Sequence, residues 1–254
     1  MAVGHPRETY IRVRQRIEMR RFGTAPNLDH GADPDWEDRL RRRLGLQDAG
    51  DDGWQEVVAA LERELPDFPH AHDADAHFGY SIWQIARSTR AETIVETGVA
   101  RGVTSRFALE ALEANGRGHL WSVDLPPVLT GFHGSVGAAV PEHLRDRWTY
   151  IRGSSRDKLV RLLRDVGPID MFVQDSLGTP PTVTFELSVA WPELKPGGWL
   201  LVNGVNRGAG LGQFLADAGP TLDPIIVPSA IKRAYRSGLP IYGQFALIQK
   251  NGAA

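Results

Sequence analysis

Thr93-Ile94-Val95-Glu96-Thr97-Gly98-Val99-Ala100-Arg101-Gly102-Val103-Thr104-Ser105 is the stretch whose reading decides the fold. It opens with an apolar run and turns through Gly98 and Gly102. It then continues into Arg106-Phe107-Ala108-Leu109-Glu110-Ala111-Leu112, where apolar residues recur at helical spacing. Apolar run, glycine turn and amphipathic segment together spell a buried strand, a tight turn and a helix start. Glycine lets the backbone of such a turn approach a ligand closely, because no Cβ intervenes. The free N–H groups of the first helical turn then face the crevice beyond the strand.

Downstream, strand and helix patterns alternate. The predicted order is helix Thr104–Asn115 with Gly116 as its stop, then strand His119–Val123 ending at Asp124. A loop from Pro126 to Pro141 carries Gly131, Gly134 and Gly137 and is expected to be mobile. Helix Glu142–Arg147, strand Trp148–Ile151, the Gly153-Ser154-Ser155 turn and helix Arg156–Asp165 follow. Next come strand Ile169–Val173, helix Thr182–Trp191 and strand Trp199–Val202. Strands Pro224–Val227 and Phe245–Gln249 close the chain, the last predicted antiparallel because no helix follows it. This alternation implies an α/β fold: a Rossmann-like, seven-stranded, mostly parallel sheet covered on both faces. Ligands of such sheets bind beyond the carboxyl ends of the strands. That edge carries Glu96 to Gly102, Asp124, Gly153 to Ser155, Asp175 and Asn203.

Upstream, the texture changes. Residues 1–70 read as an N-terminal helical extension to a domain over 71–254, with helical segments at Tyr10–Arg21, Trp36–Leu46 and Trp54–Leu65. Only the third has a clean apolar face, through Trp54, Val57, Val58, Leu61 and Leu65. The extension is too poor in apolar residues for a core of its own and is expected to serve as a cap or as the arm of a homo-oligomer. Arg41-Arg42-Arg43 reads as a solvated helix face among acidic neighbours rather than a phosphate site. His70, His72, Asp73, Asp75 and His77 have spacings a metal could use, but no periodic element fixes them, and a polar surface loop is expected.

Composition bounds the partners. The chain has 254 residues, 42% of them hydrophobic, enough for one sizeable core. A net charge of −2 argues against a general nucleic-acid surface. No cysteine is present, which removes disulfides, thiolate metal sites and cysteine nucleophiles. No apolar run approaches the roughly 20 residues that cross a bilayer, and Met1 to Arg21 lacks the apolar core of a secretory signal. A cytoplasmic protein with a small-molecule ligand, and neither nucleic acid nor membrane as partner, is expected.

The ligand is read from charge. Gly98-x-x-x-Gly102 is not the Gly-x-Gly-x-x-Gly of dinucleotide folds, and a lone glycine pair is a weak signal. Asp124, ending the next strand, has the chemistry to accept hydrogen bonds from both hydroxyls of a ribose; the plain alternative is that it caps the following turn. A phosphate would favour nearby Arg or Lys and disfavour Glu96. S-adenosylmethionine (SAM) offers an ammonium, a sulfonium and a ribose diol, and no phosphate. A nicotinamide-dependent enzyme is disfavoured on the same grounds.

Val95 to Ser105 resembles motif I of class I SAM-dependent methyltransferases, more narrowly the group of bacterial small-molecule and sugar O-methyltransferases. Gly118 to Pro126, Gln174 to Thr179 and Trp191 to Gly198 resemble three further motifs of that group, in order, so the likeness spans Tyr80 to Lys250. It implies a cofactor site of Glu96, Thr97, Gly98, Gly102, Thr104, Ser105, Asp124, Leu125, Ser154, Ser155 and Asp175. Glu96, Gly98 and Gly102 would lie against the methionine moiety, Asp124 on the ribose, Ser154 or Ser155 near the adenine, and Asp175 at the methyl-transfer crevice.

The chain also departs from that group. Many relatives have His where this chain has Gln174 and Gly178, and an acidic pair where it has Asn203-Gly204. Divalent cations such as Mg²⁺ need carboxylate oxygens, and here only Asp175 remains, so no catalytic metal is expected. Proximity and alignment supply much of the acceleration of methyl transfer. A hydroxyl acceptor still needs a base; Asp175, His133 and His143 are the candidates, although a surface role is the commoner one for such histidines. The expected activity is methyl transfer to O or N of a small molecule, in specialised metabolism. The alternative is a protein of the same fold that binds SAM or S-adenosylhomocysteine (SAH) without methylating.

Overall fold

The structure is a computed structural model that describes residues 6–22, 28–46, 53–65, 68, 73–125, 136–234 and 240–251. Strands Thr93–Thr97 (β1), His119–Asp124 (β2), Trp148–Arg152 (β3), Ile169–Gln174 (β4), Leu194–Val202 (β5), Ile225–Ala234 (β6) and Pro240–Gln249 (β7) form one seven-stranded sheet in the order β3-β2-β1-β4-β5-β7-β6. β1 to β5 pair in parallel, whereas β7 runs antiparallel to both β5 and β6. This is the sheet expected from the sequence, closing strand included. The chain builds outward from β1 to β3, then crosses back to β4 on the other side of β1. The carboxyl ends of β1 and β4 therefore flank the switch point where such sheets bind ligands.

Helices cover both faces because alternate residues of each strand point to opposite sides. On one face Ile94, Leu120, Met171, Trp199 and Leu201 pack against Ala76–Ser88 (α4) and Val103–Ala114 (α5). Trp36 and Leu40 of Trp36–Arg43 (α2) and Val57 and Leu61 of Trp54–Glu64 (α3) join this same core. On the other face Val95, Phe172, Leu200 and Ile226 meet Ser155–Val166 (α6), Pro180–Ala190 (α7) and Gly210–Ala218 (α8). The first helix, Pro6–Phe22 (α1), keeps Tyr10, Val13 and Ile17 exposed. Polar contacts hold its inner side: Arg152 of β3 donates to Glu8 at 3.0 Å, and Thr182 of α7 donates to Glu18 at 2.7 Å.

Several elements differ from their predicted form. α4 begins at Ala76, inside a run expected as a polar surface loop, because Asp75 caps it by accepting from His77 N–H at 3.0 Å. His77 is therefore helical, and its Nδ1 lies 2.8 Å from the Pro228 carbonyl. Asp75 also accepts from Ala230 N–H at 3.0 Å, so this polar run anchors α4 to β6; His70 and His72 lie outside the described residues. Arg43 of the arginine run pairs with Asp223. Glu142–Arg147 is a 3₁₀ turn, and α8 was not predicted at all. Its glycines weaken the helical signal, yet a Cβ on Gly210 would stand 2.8 Å from Val183, so close packing on α7 requires that glycine.

Candidate active site

Gly98 and Gly102 form the corner between β1 and α5. Gly98 has φ +88°, and its N–H donates to the Val123 carbonyl at 2.9 Å. On its other side passes the backbone of Asp175, whose N–H donates to the Thr97 carbonyl at 2.8 Å. Gly98 is thus wedged between the ends of β2 and β4. Gly102, at φ +89°, opens α5 against Gly137. Between them Ala100 takes a left-handed φ of 48°, uncommon for a residue with a Cβ.

That conformation aims N–H groups at one carboxylate. Asp124 accepts from the backbone N–H of Val99, Ala100 and Leu125. Burial raises its pKa, these N–H groups oppose the rise, and the Asp175 carboxylate adds to it. Tyr150 stands beside it, and its phenol is pushed up to about 12, by burial first and the Asp124 charge second. Asp175, just past β4, is held by two neutral donors: Thr104 Oγ1 donates to Oδ2 at 2.7 Å, and Asn203 Nδ2 donates to Oδ1. Arg101 leaves the corner in the opposite direction. Its Nε and Nη2 make two 2.6 Å bonds to the fully buried Asp73, a fork that ties the loop to the segment entering α4.

Beneath the corner lie two buried acids, one on each face of the sheet. Glu96 Oε2 accepts from Ser105 and Ser122, each at 2.6 Å, while Oε1 has no hydrogen-bond partner among the described residues. Burial pushes its pKa up to about 8; the two serines oppose this, and Asp175 and Asp124 add to it. Glu186 of α7 accepts from Thr97 at 2.8 Å and from Ser176 at 2.7 Å, with Ser155 and Gln174 also donating. Burial raises its pKa too.

The predicted residues therefore fall into groups. Gly98, Gly102, Thr104, Asp124, Leu125 and Asp175 meet at the switch point. The side chains of Thr97, Ser105 and Ser155 turn inward to the buried acids, and Ser154 Oγ donates to Asp157 at 2.9 Å. His143 is exposed on the 3₁₀ turn, and His133 lies outside the described residues. Glu186 and the Arg101–Asp73 fork were not predicted. A lone acid inside the apolar run Val183 to Ala190 was the available signal for Glu186; nothing local marks a pair formed across the fold.

Residues 95–205 match the family model of a methyltransferase domain. No curated sequence matches the chain. Among solved structures, the O-methyltransferase TomG from Streptomyces achromogenes, involved in tomaymycin synthesis and in complex with SAM, is 20% identical at a TM-score of 0.56, covering 85% of this chain and 97% of that one. An O-methyltransferase from Bacillus cereus in complex with SAH is 16% identical at 0.55, with coverages of 85% and 98%. The SAH-bound methyltransferase PaMTH1 from Podospora anserina is also 16% identical at 0.55, covering 88% and 98%.

Proposed function

We propose that this chain, a methyltransferase of class I architecture with its domain match over residues 95–205, transfers a methyl group from SAM to oxygen or nitrogen of a small molecule in the cytoplasm, without a catalytic metal. One observation carries the cofactor. Asp175 raises the proton affinity of Asp124, and both raise that of Glu96 beneath the switch point; a ligand bearing ammonium and sulfonium charge relieves that repulsion. A pyrophosphate would aggravate it. Gly98 and Gly102 let the ends of the neighbouring segments close around this corner, and Asp124 would accept hydrogen bonds from the ribose hydroxyls. Thr97, Ser105 and Ser155, turned inward, and Ser154, bonded to Asp157, would touch the cofactor through their main chains only.

When bound, SAM would supply an activated methyl group on its sulfonium. The protein's part is to align donor and acceptor and to take the acceptor's proton. Asp175, fixed by Thr104 and Asn203, is our candidate for orienting the acceptor or receiving that proton. Its donor set supports the metal-free reading: both Asp175 oxygens already accept from neutral groups, and its partner across the crevice is an amide. Among the described residues no three His, Asp or Glu side chains cluster as metal ligands, and no helix is long and apolar enough to cross a membrane.

Calorimetric titration with SAM, SAH and NAD tests the cofactor. Both adenosyl ligands should bind and NAD should not. Asp124→Ala should weaken SAH binding more than about tenfold, the scale of charge-assisted hydrogen bonds lost together; unchanged affinity would remove the ribose assignment. Methyl transfer from labelled SAM should survive a chelator undiminished. Loss of transfer that Mg²⁺ restores would overturn the metal-free mechanism.

A further inference from the structure

The loops after β4 and β5 meet on a pair of glycines, and one arginine lies across both. Val205–Arg207 forms a short 3₁₀ turn after β5, and Arg207 N–H donates back to the Gly204 carbonyl at 2.9 Å. Its side chain folds over Gly204 so closely that a Cβ there would stand 3.0 Å from Nε and 3.1 Å from Cδ. The stem continues to Gly178, where a Cβ would be 3.6 Å from Cδ and 3.9 Å from Nη1. Gly204 directly follows Asn203, the donor to Asp175, and Gly178 lies in the loop that Asp175 begins. The guanidinium stem thus bridges the two loops that bear the Asp175–Asn203 pair.

The turn presenting it is fixed. Leu28 N–H donates to the Asn206 carbonyl at 2.9 Å, His30 Nε2 lies 3.1 Å from the Val205 carbonyl, and Gln244 N–H donates to Asn206 Oδ1 at 3.3 Å. Asn206 is 2% exposed. The arginine itself is exposed, and among the described residues no carboxylate pairs with it. Arg39, Arg43, Arg101, Arg106, Arg147 and Arg152 all have such a partner. The site is therefore divided by charge: the Asp124 and Asp175 carboxylates at the glycine corner, and an unpaired guanidinium beyond Asp175.

We infer that Arg207 is a specificity determinant, and that the methyl acceptor carries an oxyanion, carboxylate or phosphate, which Arg207 binds. This rests on the methyltransferase reading for what the ligand is, though not for whether the arginine binds anions. A planar guanidinium matches either oxyanion through paired N–H donors. Docked there, the acceptor's charged end points away from the acidic corner, which rejects it, and its nucleophilic atom is left facing Asp175. A neutral acceptor would gain nothing from that arrangement.

The test uses SAH-saturated, full-length protein with ¹⁵N-labelled arginine. The Nε–H signal missing from Arg207→Met reports Arg207, and exposed Arg42 serves as the surface reference. Acetate and inorganic phosphate are small enough to enter whatever the acceptor's shape, and acetamide is their neutral control. The Arg207 signal should shift saturably with at least one anion, about tenfold more tightly than Arg42, and not with acetamide. Whichever anion binds tighter distinguishes carboxylate from phosphate. No saturable shift, or a shift no tighter than at Arg42, overturns the inference. Arg207→Met should bind SAH like the parent protein, showing that it folds. Wild-type protein that fails to bind SAH would sink the cofactor reading instead, and the Arg207 titration, repeated without SAH, would still be decided by the same comparison.

Discussion

Gly98→Ala should abolish SAH binding and strongly destabilise the protein. A Cβ at this position would lie 2.1 Å from the Asp175 carbonyl oxygen, 2.5 Å from its carbon and 2.8 Å from Ser176 Cα. All three atoms are backbone, so no rotamer change relieves the overlap. The φ of +88° adds left-handed strain for any L side chain. To make room, β4 must move from β1, breaking the Asp175-to-Thr97 bond and displacing the carboxylate that Thr104 and Asn203 hold. A cost above about 3 kcal/mol is expected, in the range of severe overpacking with backbone strain. Gly212→Ala is the matched control. A Cβ there meets nothing within 4 Å, and the residue lies inside α8, so that change should be neutral or stabilising by up to about 1 kcal/mol. Chemical denaturation of both variants checks the pair; equal stabilities would show that the corner is far more pliable than its contacts indicate.

Glu96 should make the ligand-free protein lose stability as pH rises. Its folded pKa, about 8, lies above the ordinary carboxyl value of 4.5, so between those values the folded state holds a proton that the unfolded chain has released. Unfolding therefore becomes progressively easier from about pH 4.5 to about pH 8, and this contribution levels off beyond. The full span corresponds to a penalty on the order of 5 kcal/mol. Glu186 is shifted in the same direction, also chiefly by burial, and adds to the trend. Glu96→Gln keeps an oxygen for Ser105 and Ser122 and removes the titration. Thermal melts from pH 5 to pH 9 should show the parent protein falling by roughly 10 °C or more and the variant falling much less. Parallel pH profiles would mean that Glu96 does not titrate in this window.

These expectations rest on features of unequal legibility. Gly98, Gly102, Asp124 and Asp175 could be placed from the chain because each directly follows an apolar strand, and strand ends share one edge in a parallel sheet. The same logic located Thr97, Ser105 and Ser155 at that edge. It did not reveal that their hydroxyls turn inward, because that depends on which face of β1 each neighbour occupies. Glu96 and Thr97 are adjacent in sequence yet serve separate buried networks, since successive strand residues point to opposite faces. His77 shows the converse. It stood out by its spacing to other histidines and acids, but its position is set by a helix cap two residues earlier and a carbonyl on β6.

By itself the sequence determined the alternation of strands and helices, the glycine corner and the run of carboxylates along the sheet's edge. Each is encoded by residues within a few positions of one another, where hydrophobic period and turn chemistry act. Tertiary structure alone decided that Arg101 clasps Asp73, that Glu186 gathers four donors from three separate segments, and that Arg207 lies across Gly178 and Gly204. Those contacts join residues far apart along the chain. They exist only once the sheet has brought its loops together, and a glycine records the space it leaves without naming the side chain that fills it.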